Sequence, residues 1–197
     1  QLEATDDTIV VFFHDNGPNG NRWNGDMEGR KGSTEEGGTR SPLLIKWPKG
    51  IKAGTKVMQI ASVRDLLPTL TELAGVKEKS KKSIDGKSLK TLLSGNTKGW
   101  KSRSLVSTWK GKLGVRDQRF RLGYKGKLFD MENDPNQYEE VSNVFPEIFQ
   151  SMTNEKIKQL TMGAKPLIKS TQDISHEDIA LEELKLNMIP FKLKEAI

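Results

Sequence analysis

TIVVFFHDNGPNGNRWNGDMEGRKGSTEEGGTR, residues Thr8 to Arg40, runs from an apolar segment straight into a glycine-rich one. Thr8 to Phe13 is β-branched and aromatic with no polar interruption after Thr8, which predicts a strand buried on both faces of an α/β sheet. His14 to Arg40 holds seven glycines, the pair Asp15-Asn16 and charges of both signs. Such a segment is poor material for a core. Asp15 and Asn16 fall at the carboxyl end of the expected strand, the place where ligands bind in open α/β sheets.

Outward from this stretch, Leu43 to Trp47 reads as a second buried strand beside the first. After a turn around Pro48, Gly50 and Gly54, SVRDLLPTLTELAG predicts a helix with Leu66, Leu67, Leu70 and Leu73 on one face. Asp65 is its expected N-cap, Pro68 sits in the first turn, and Gly75 ends it. The lysine-rich KEKSKKS is a linker or exposed loop, and IDGKSLKTLLSG gives a short amphipathic segment. From Ser104 to Met131, SLVSTW, GVRDQRFRLGY and KGKLFDM are short alternating runs of the kind an antiparallel meander uses. NDPN is a turn, and a closing helix begins near Pro146. The tail from Gly163 is weakly periodic, with a candidate helix near Glu177 to Leu186.

With 197 residues and 34% hydrophobic content, the chain can build a lean core. The sequence has no cysteine, which excludes disulfides, thiolate metal sites and a cysteine nucleophile within it. No apolar run approaches the ~20 residues of a membrane span, and QLEATDDT lacks the regions of a signal peptide. Gln1 in place of an initiator Met points to a chain cut from something longer. The net charge of +6 is uneven, because Lys77 to Lys127 carries 16 Lys/Arg against Glu78, Asp85 and Asp117. That basic middle reads either as a surface for an anionic partner or as a solvated lysine-rich face. No nucleic-acid motif is present, and the aromatics are not interleaved as a stacking platform, so no specific nucleic-acid partner is expected.

The side chains of Asp15 and Asn16 offer hard oxygens suited to Ca²⁺, or less well to Mg²⁺. Gly17 would let the chain turn at once, leaving those oxygens in a crevice. An Asx-type turn closing the strand is the structural alternative for Asp-Asn-Gly taken alone. An EF-hand fails, since Gly17 stands where a ligand is needed and a strand precedes it. A P-loop fails because Lys31-Gly32-Ser33 lacks the upstream spacing. Zinc fails because the histidines are only His14 and His176.

In combination, DNGP, GRKGSTEEGGTRSP, IKWP and VRDLLPTLTELAG, in this order and spacing, resemble the type I sulfatases, the arylsulfatase family within the alkaline phosphatase superfamily. The resemblance continues through IDGKSLKTLLSG, GVRDQRFRL and LFDMENDPNQYEEVSN, and so covers about Thr8 to Leu160. It implies the end of a sulfatase-type α/β sandwich domain, followed by a small C-terminal domain with an antiparallel sheet and a packed helix. Residues 1–76 would close the catalytic α/β domain, 77–103 form a basic linker with a short helix, and 104–162 form the small domain. Residues 163–197 remain unassigned.

Carried over residue by residue, the resemblance makes Asp15 and Asn16 calcium ligands and Lys31 the catalytic lysine that contacts the sulfate. Glu36, Gly37, Gly38 and Arg40 match the same motif and read as structural, with Glu36 or Arg40 tying the loop down by ion pairing. His14 is expected to pack beside the metal pair, while Trp23 reads either as the wall of a sugar subsite or as an anchor of the loop. His176 reads as a surface residue. The family's formylglycine nucleophile arises inside a C/S-x-P-x-R motif that this chain lacks, since Ser41-Pro42 is not followed by the required Arg. The resemblance therefore implies an N-terminal remainder that carries it, an inactive isolated chain, a sulfate-ester substrate such as a sulfated polysaccharide, and a periplasmic or secreted setting. Phosphomonoester or phosphonate hydrolysis and a non-catalytic anion-binding fragment are the rival readings.

Overall fold

The computed structural model describes residues 6–20, 22–76 and 83–168, the last six as backbone alone. In chain order it contains β1 (Val10–Phe13), α1 (Glu36–Thr39), β2 (Leu43–Lys46), a 3-10 turn (Val63–Asp65) entering α2 (Leu66–Leu73), and α3 (Lys90–Leu93). The strands β3 (Leu105–Trp109), β4 (Lys112–Arg116), β5 (Phe120–Leu122) and β6 (Leu128–Asp130) follow, and then α4 (Pro146–Ile168). The chain divides into two compact units. One comprises residues 1–15 and 41–102, and the other residues 16–40 and 103–197. The segment 16–40, grouped by sequence with the first strands, thus clusters with the later sheet. His176 and the candidate helix near Glu177 lie outside the described residues, as does most of KEKSKKS.

In the first unit β1 and β2 are neighbours, paired antiparallel with Val11 opposite Ile45 and Phe13 opposite Leu43. The two-residue period of a strand puts Leu43 and Ile45 on one face, where they pack against the buried Leu89, Leu92 and Leu93. Val10, Phe12 and Leu44 stand on the opposite face and are more than half exposed. The expectation of strands buried on both faces is therefore corrected. One face meets the core, and nothing among the described residues of this unit covers the other.

The helix at SVRDLLPTLTELAG forms, but its buried face is not the leucine face. Leu67 is exposed and Leu70 borders on it, whereas Asp65 and Thr69 are fully buried and Leu73 joins the core. Asp65 stands at the N-cap position of α2 as expected, but its side chain caps no N–H of that helix; it closes a capping box with Ser62, accepting that residue's backbone N–H at 2.7 Å. Its other carboxylate oxygen accepts the Lys87 N–H at 2.8 Å. One turn on, the Thr69 hydroxyl donates to the Asp65 carbonyl at 2.6 Å and accepts the Leu89 N–H at 2.9 Å. Asp65 and Thr69, spaced i,i+4, thereby pin the IDGKSL segment against α2. Gly86 is required there, since a Cβ would stand 1.9 Å from the Arg64 carbonyl oxygen.

The second unit is the expected meander, an antiparallel sheet in the order β3-β4-β5-β6. Its apolar face carries Leu113, Val115, Phe120, Leu122 and Leu128, closed by Met152 of α4 together with Ile148 and Phe149. The closing helix begins at Pro146, whose missing N–H costs nothing in a first turn. No helix among the described residues is long and apolar enough to cross a membrane.

Candidate functional site

The loop 16–40 is a backbone knot built on close approach. Gly17 donates its N–H to the Gly38 carbonyl at 3.0 Å, and Gly37 donates to Glu28 at 2.8 Å. A Cβ on Gly17 would lie 1.8 Å from the Gly37 oxygen, and one on Gly37 would lie 2.4 Å from the Gly29 oxygen. Gly17 is therefore a glycine because another strand of backbone occupies the space, not because the chain needs a left-handed turn there. Gly32, at φ +84, does need one, and it shapes the turn that presents Lys31.

The knot brings the candidate residues Asn16 and Lys31 toward one another through their backbone. Lys31 donates its N–H to the Pro18 carbonyl at 3.0 Å, two residues beyond Asn16, and its side chain is exposed. The Asn16 side-chain oxygen is buried with no hydrogen-bond partner among the described residues. An acceptor left without a donor is costly in a finished structure, and it is the kind of group a hard cation satisfies. Asp15 is exposed and belongs to the first unit, the division falling between it and Asn16. Among the described residues no group of three or more His, Cys, Asp or Glu side chains converges as a metal cluster. Ca²⁺ takes 6–8 oxygen ligands, and Asn16 presents one unpaired oxygen here.

What fixes the loop is the polar face of the meander. Arg121 sits between Phe120 and Leu122 on β5, so alternation sends it to the face opposite α4. There its guanidinium bonds Glu36 at 2.7 and 3.1 Å, the Thr34 carbonyl at 2.5 Å and the Thr39 hydroxyl at 3.1 Å. Arg116 of β4 reaches the same Glu36 oxygen at 3.4 Å. Burial alone would raise the Glu36 pKa, but Arg121 and Arg116 outweigh it and hold the carboxyl below its ordinary range. Gln137 completes the clamp, its carbonyl accepting the Glu36 N–H at 3.0 Å while its amide donates to Glu35 at 2.9 Å. Glu36 ties the loop down as its place in the motif implied. Arg40 contributes only an exposed contact with Glu36 at 3.7 Å.

Arg116, Arg121 and Gln137 were not singled out by sequence. The alternation in GVRDQRFRLGY placed its arginines off the apolar face, but their acid partner lies 80 or more positions upstream. Arg119 of the same run bonds Asp130 at 2.7 Å, and this hydrogen bond, with that of Asn133, holds the Asp130 carboxyl down at about 2 despite its burial. Three cations of the basic middle are therefore engaged inside the second unit. Trp109 of β3 supports the lysine turn, its indole nitrogen 3.3 Å from where a Cβ of Gly32 would be. His14 is exposed and meets the edge of Phe12, with ring centroids 5.2 Å apart. Trp23 is 86% exposed, which removes its reading as a packed anchor of the loop.

The family described as N-sulphoglucosamine sulphohydrolase, C-terminal, matches residues 31–164. Human arylsulfatase A is 28% identical over 221 aligned positions, covering 92% of this chain and 43% of that protein. Human N-acetylgalactosamine-6-sulfatase is 40% identical over 101 positions, covering 48% of this chain and 19% of that protein. Among solved structures, Ps i-CgsB in complex with k-i-k-neocarrahexaose superposes with a TM-score of 0.67 at 30% identity, covering 78% of this chain and 36% of that one. The chain spans less than half the length of the relatives it matches. With the glycine knot, the clamped Glu36 and the meander all inside or beside the matched region, the chain belongs to the N-sulphoglucosamine sulphohydrolase C-terminal family and matches the C-terminal part of the sulfatase family.

Proposed function

We infer that the complete protein hydrolyses sulfate esters of a saccharide, with this chain supplying Asp15 and Asn16 as calcium ligands and Lys31 as the sulfate contact. The observation that carries the reading is the partnerless buried oxygen of Asn16, on a knot that also holds the Lys31 turn to Pro18. A bound divalent cation would draw charge from the sulfate oxygens as the S–O bond breaks. Lys31 places a second positive charge on the same group, and its ammonium is worth most in the transition state, where negative charge on the leaving oxygen grows. The clamp of Glu36 by Arg121 and Arg116 keeps that turn preorganised. The nucleophile is assigned to the remainder of the protein, since no cysteine and no C/S-x-P-x-R motif occurs in these residues. Hence the isolated chain should be inactive. The saccharide class draws support from the oligosaccharide complex of Ps i-CgsB.

The test is Lys31→Ala in the complete enzyme, assayed on a small aryl sulfate. Its kcat/KM should fall by about two orders of magnitude or more with unfolding unchanged. Lys49→Ala is the control, because Lys49 pairs with Asp7 at the exposed surface, an interaction worth little. Equal activity of the two variants would remove the sulfate role from Lys31.

A further inference from the structure

We propose that Asn19 is a site of spontaneous modification, at which the Asn19-Gly20 pair loses ammonia and becomes an aspartyl or isoaspartyl linkage. The fold holds Asn16-Gly17 and Asn24-Gly25 against the same reaction. The modification is independent of the sulfate-ester reading, and only its effect on activity rests on Lys31.

The sequence contains three Asn-Gly pairs, Asn16-Gly17, Asn19-Gly20 and Asn24-Gly25, all of them in the glycine-rich loop. Asn followed by Gly is the dipeptide most open to this chemistry, because without a Cβ the glycine nitrogen is unhindered and its backbone turns freely. The glycine N–H gives its proton to hydroxide, and the nitrogen attacks Cγ of the asparagine. The Cγ–Nδ2 bond breaks and ammonia leaves, taking a proton from water, so that a cyclic imide remains. Water then opens the imide. Cleavage at Cγ yields aspartate, and cleavage at the main-chain carbonyl yields isoaspartate, whose backbone runs through Cβ and Cγ. Water is the only reactant besides the chain, and nothing is oxidised or reduced.

The dipeptides are identical, so their ranking comes from the fold. Gly17 donates its N–H to the Gly38 carbonyl at 3.0 Å, and the Gly37 carbonyl fills the space beside it that a ring would need. Asn16 is itself half-buried. Asn24 is restrained at the leaving group instead. Its amide donates to the Met27 carbonyl at 2.9 Å and to the Gly29 carbonyl at 3.2 Å, and both bonds must break before Cγ can turn onto the Gly25 nitrogen. Asn19 has neither restraint. Its side chain is exposed, nothing lies within 4 Å of where a Cβ of Gly20 would stand, and neither the Asn19 amide nor the Gly20 N–H bonds a described residue.

The consequence falls on the Lys31 turn. The Pro18 carbonyl, directly before Asn19, accepts the Lys31 N–H at 3.0 Å. An isoaspartyl linkage inserts a methylene into the main chain next to that carbonyl. Either product adds a carboxylate near a turn that presents a cation. The loop thus carries a slow, one-way change of charge beside its candidate sulfate contact.

To test this, the complete protein is aged in mildly alkaline buffer, digested and mapped by mass spectrometry, with a urea-unfolded sample aged in parallel. In the folded protein Asn19 should convert at least about tenfold faster than Asn16 or Asn24, the factor by which one hydrogen bond that must first open slows the reaction. In urea the three should convert at similar rates. No conversion at Asn19 in the folded protein, or conversion of Asn16 or Asn24 at the same rate, overturns the proposal. Hydrogen exchange of the Lys31 amide should rise about tenfold in the converted protein, one hydrogen bond being loosened. It should stay unchanged in aged Asn19→Gln, whose extra methylene disfavours the ring. Equal exchange in the two would overturn the link to the Lys31 turn. A complete protein that cleaves no sulfate ester yet still converts Asn19 selectively would sink the sulfatase reading and leave this site standing.

Discussion

Glu36 and Arg121, 85 positions apart in the chain, meet at 2.7 Å with side chains only 7% and 3% exposed. Through that pair one face of β5 holds the loop of the candidate site while the other closes the core on α4. The loop's geometry is thus inherited from a sheet whose residues lie far along the sequence.

Breaking the pair should cost more than replacing it. Glu36→Gln alone leaves the buried Arg121 without its carboxylate, a loss of about 3–5 kcal/mol, while Arg121→Met alone leaves Glu36 with Arg116 at 3.4 Å and should cost less. Combined, the two substitutions should cost clearly less than the sum of the singles, because neither member of the pair is then left buried without the other. Urea unfolding of the four forms measures the cycle. Additive losses would show that the ion pair does not couple loop to sheet.

The acid limb of stability follows from the carboxylates. Glu36 is held below its ordinary value by Arg121 and Arg116 against the opposing effect of burial, and Asp130 is held at about 2 by Arg119. Both are depressed in the folded state, so their contribution is complete above the unfolded values near ~4 and is lost as pH falls through the folded ones. Melting temperature should stay flat from neutral pH to about 5 and drop between about 4 and 2. Arg119→Ala should lower the neutral plateau and shrink the drop. A plateau reaching unchanged to pH 2 would contradict the assignment.

Substitution of the loop glycines should divide by space rather than by motif. Gly17→Ala drives a Cβ into the Gly37 carbonyl, and a loss of about 1–3 kcal/mol or more is expected from overpacking. Gly20→Ala meets nothing within 4 Å and should be close to neutral. Limited proteolysis of residues 20–30, read alongside denaturant unfolding, should show faster cutting for Gly17→Ala. Equal behaviour of both variants would mean the knot is not tightly packed.

Thr69 offers a test in the first unit. Thr69→Val keeps the shape but strands the buried Leu89 N–H, at a cost of about 1–3 kcal/mol. Thr69→Ser retains the hydroxyl and should cost the smaller amount of one methyl group, about 1 kcal/mol. Thermal unfolding in the order wild type, Ser, Val is the expected result, and Val above Ser would dismiss the hydroxyl bridge.

Much of this was legible in local pattern. The alternation from Ser104 to Met131 specified the meander, Pro146 the start of α4, and the spacing of DNG, Lys31 and EGG the sulfatase loop, because period, turn chemistry and motif are properties of neighbouring residues. Burial was not legible in the same way. The apolar runs of β1 and the Leu67 and Leu70 positions of α2 read as core, yet they are exposed or nearly so, since an apolar residue is buried only where a second layer meets it. Conversely, Asp65, expected as a cap, and Thr69 and Arg121, which local pattern did not single out, are buried together with Glu36, each because a partner far away in sequence satisfies it. Sequence determined which segments could form strands, helices and an oxygen-rich loop. The tertiary structure decided which of their faces became interior, because desolvating a charge is tolerable only when the distant group that pairs with it has been brought into place.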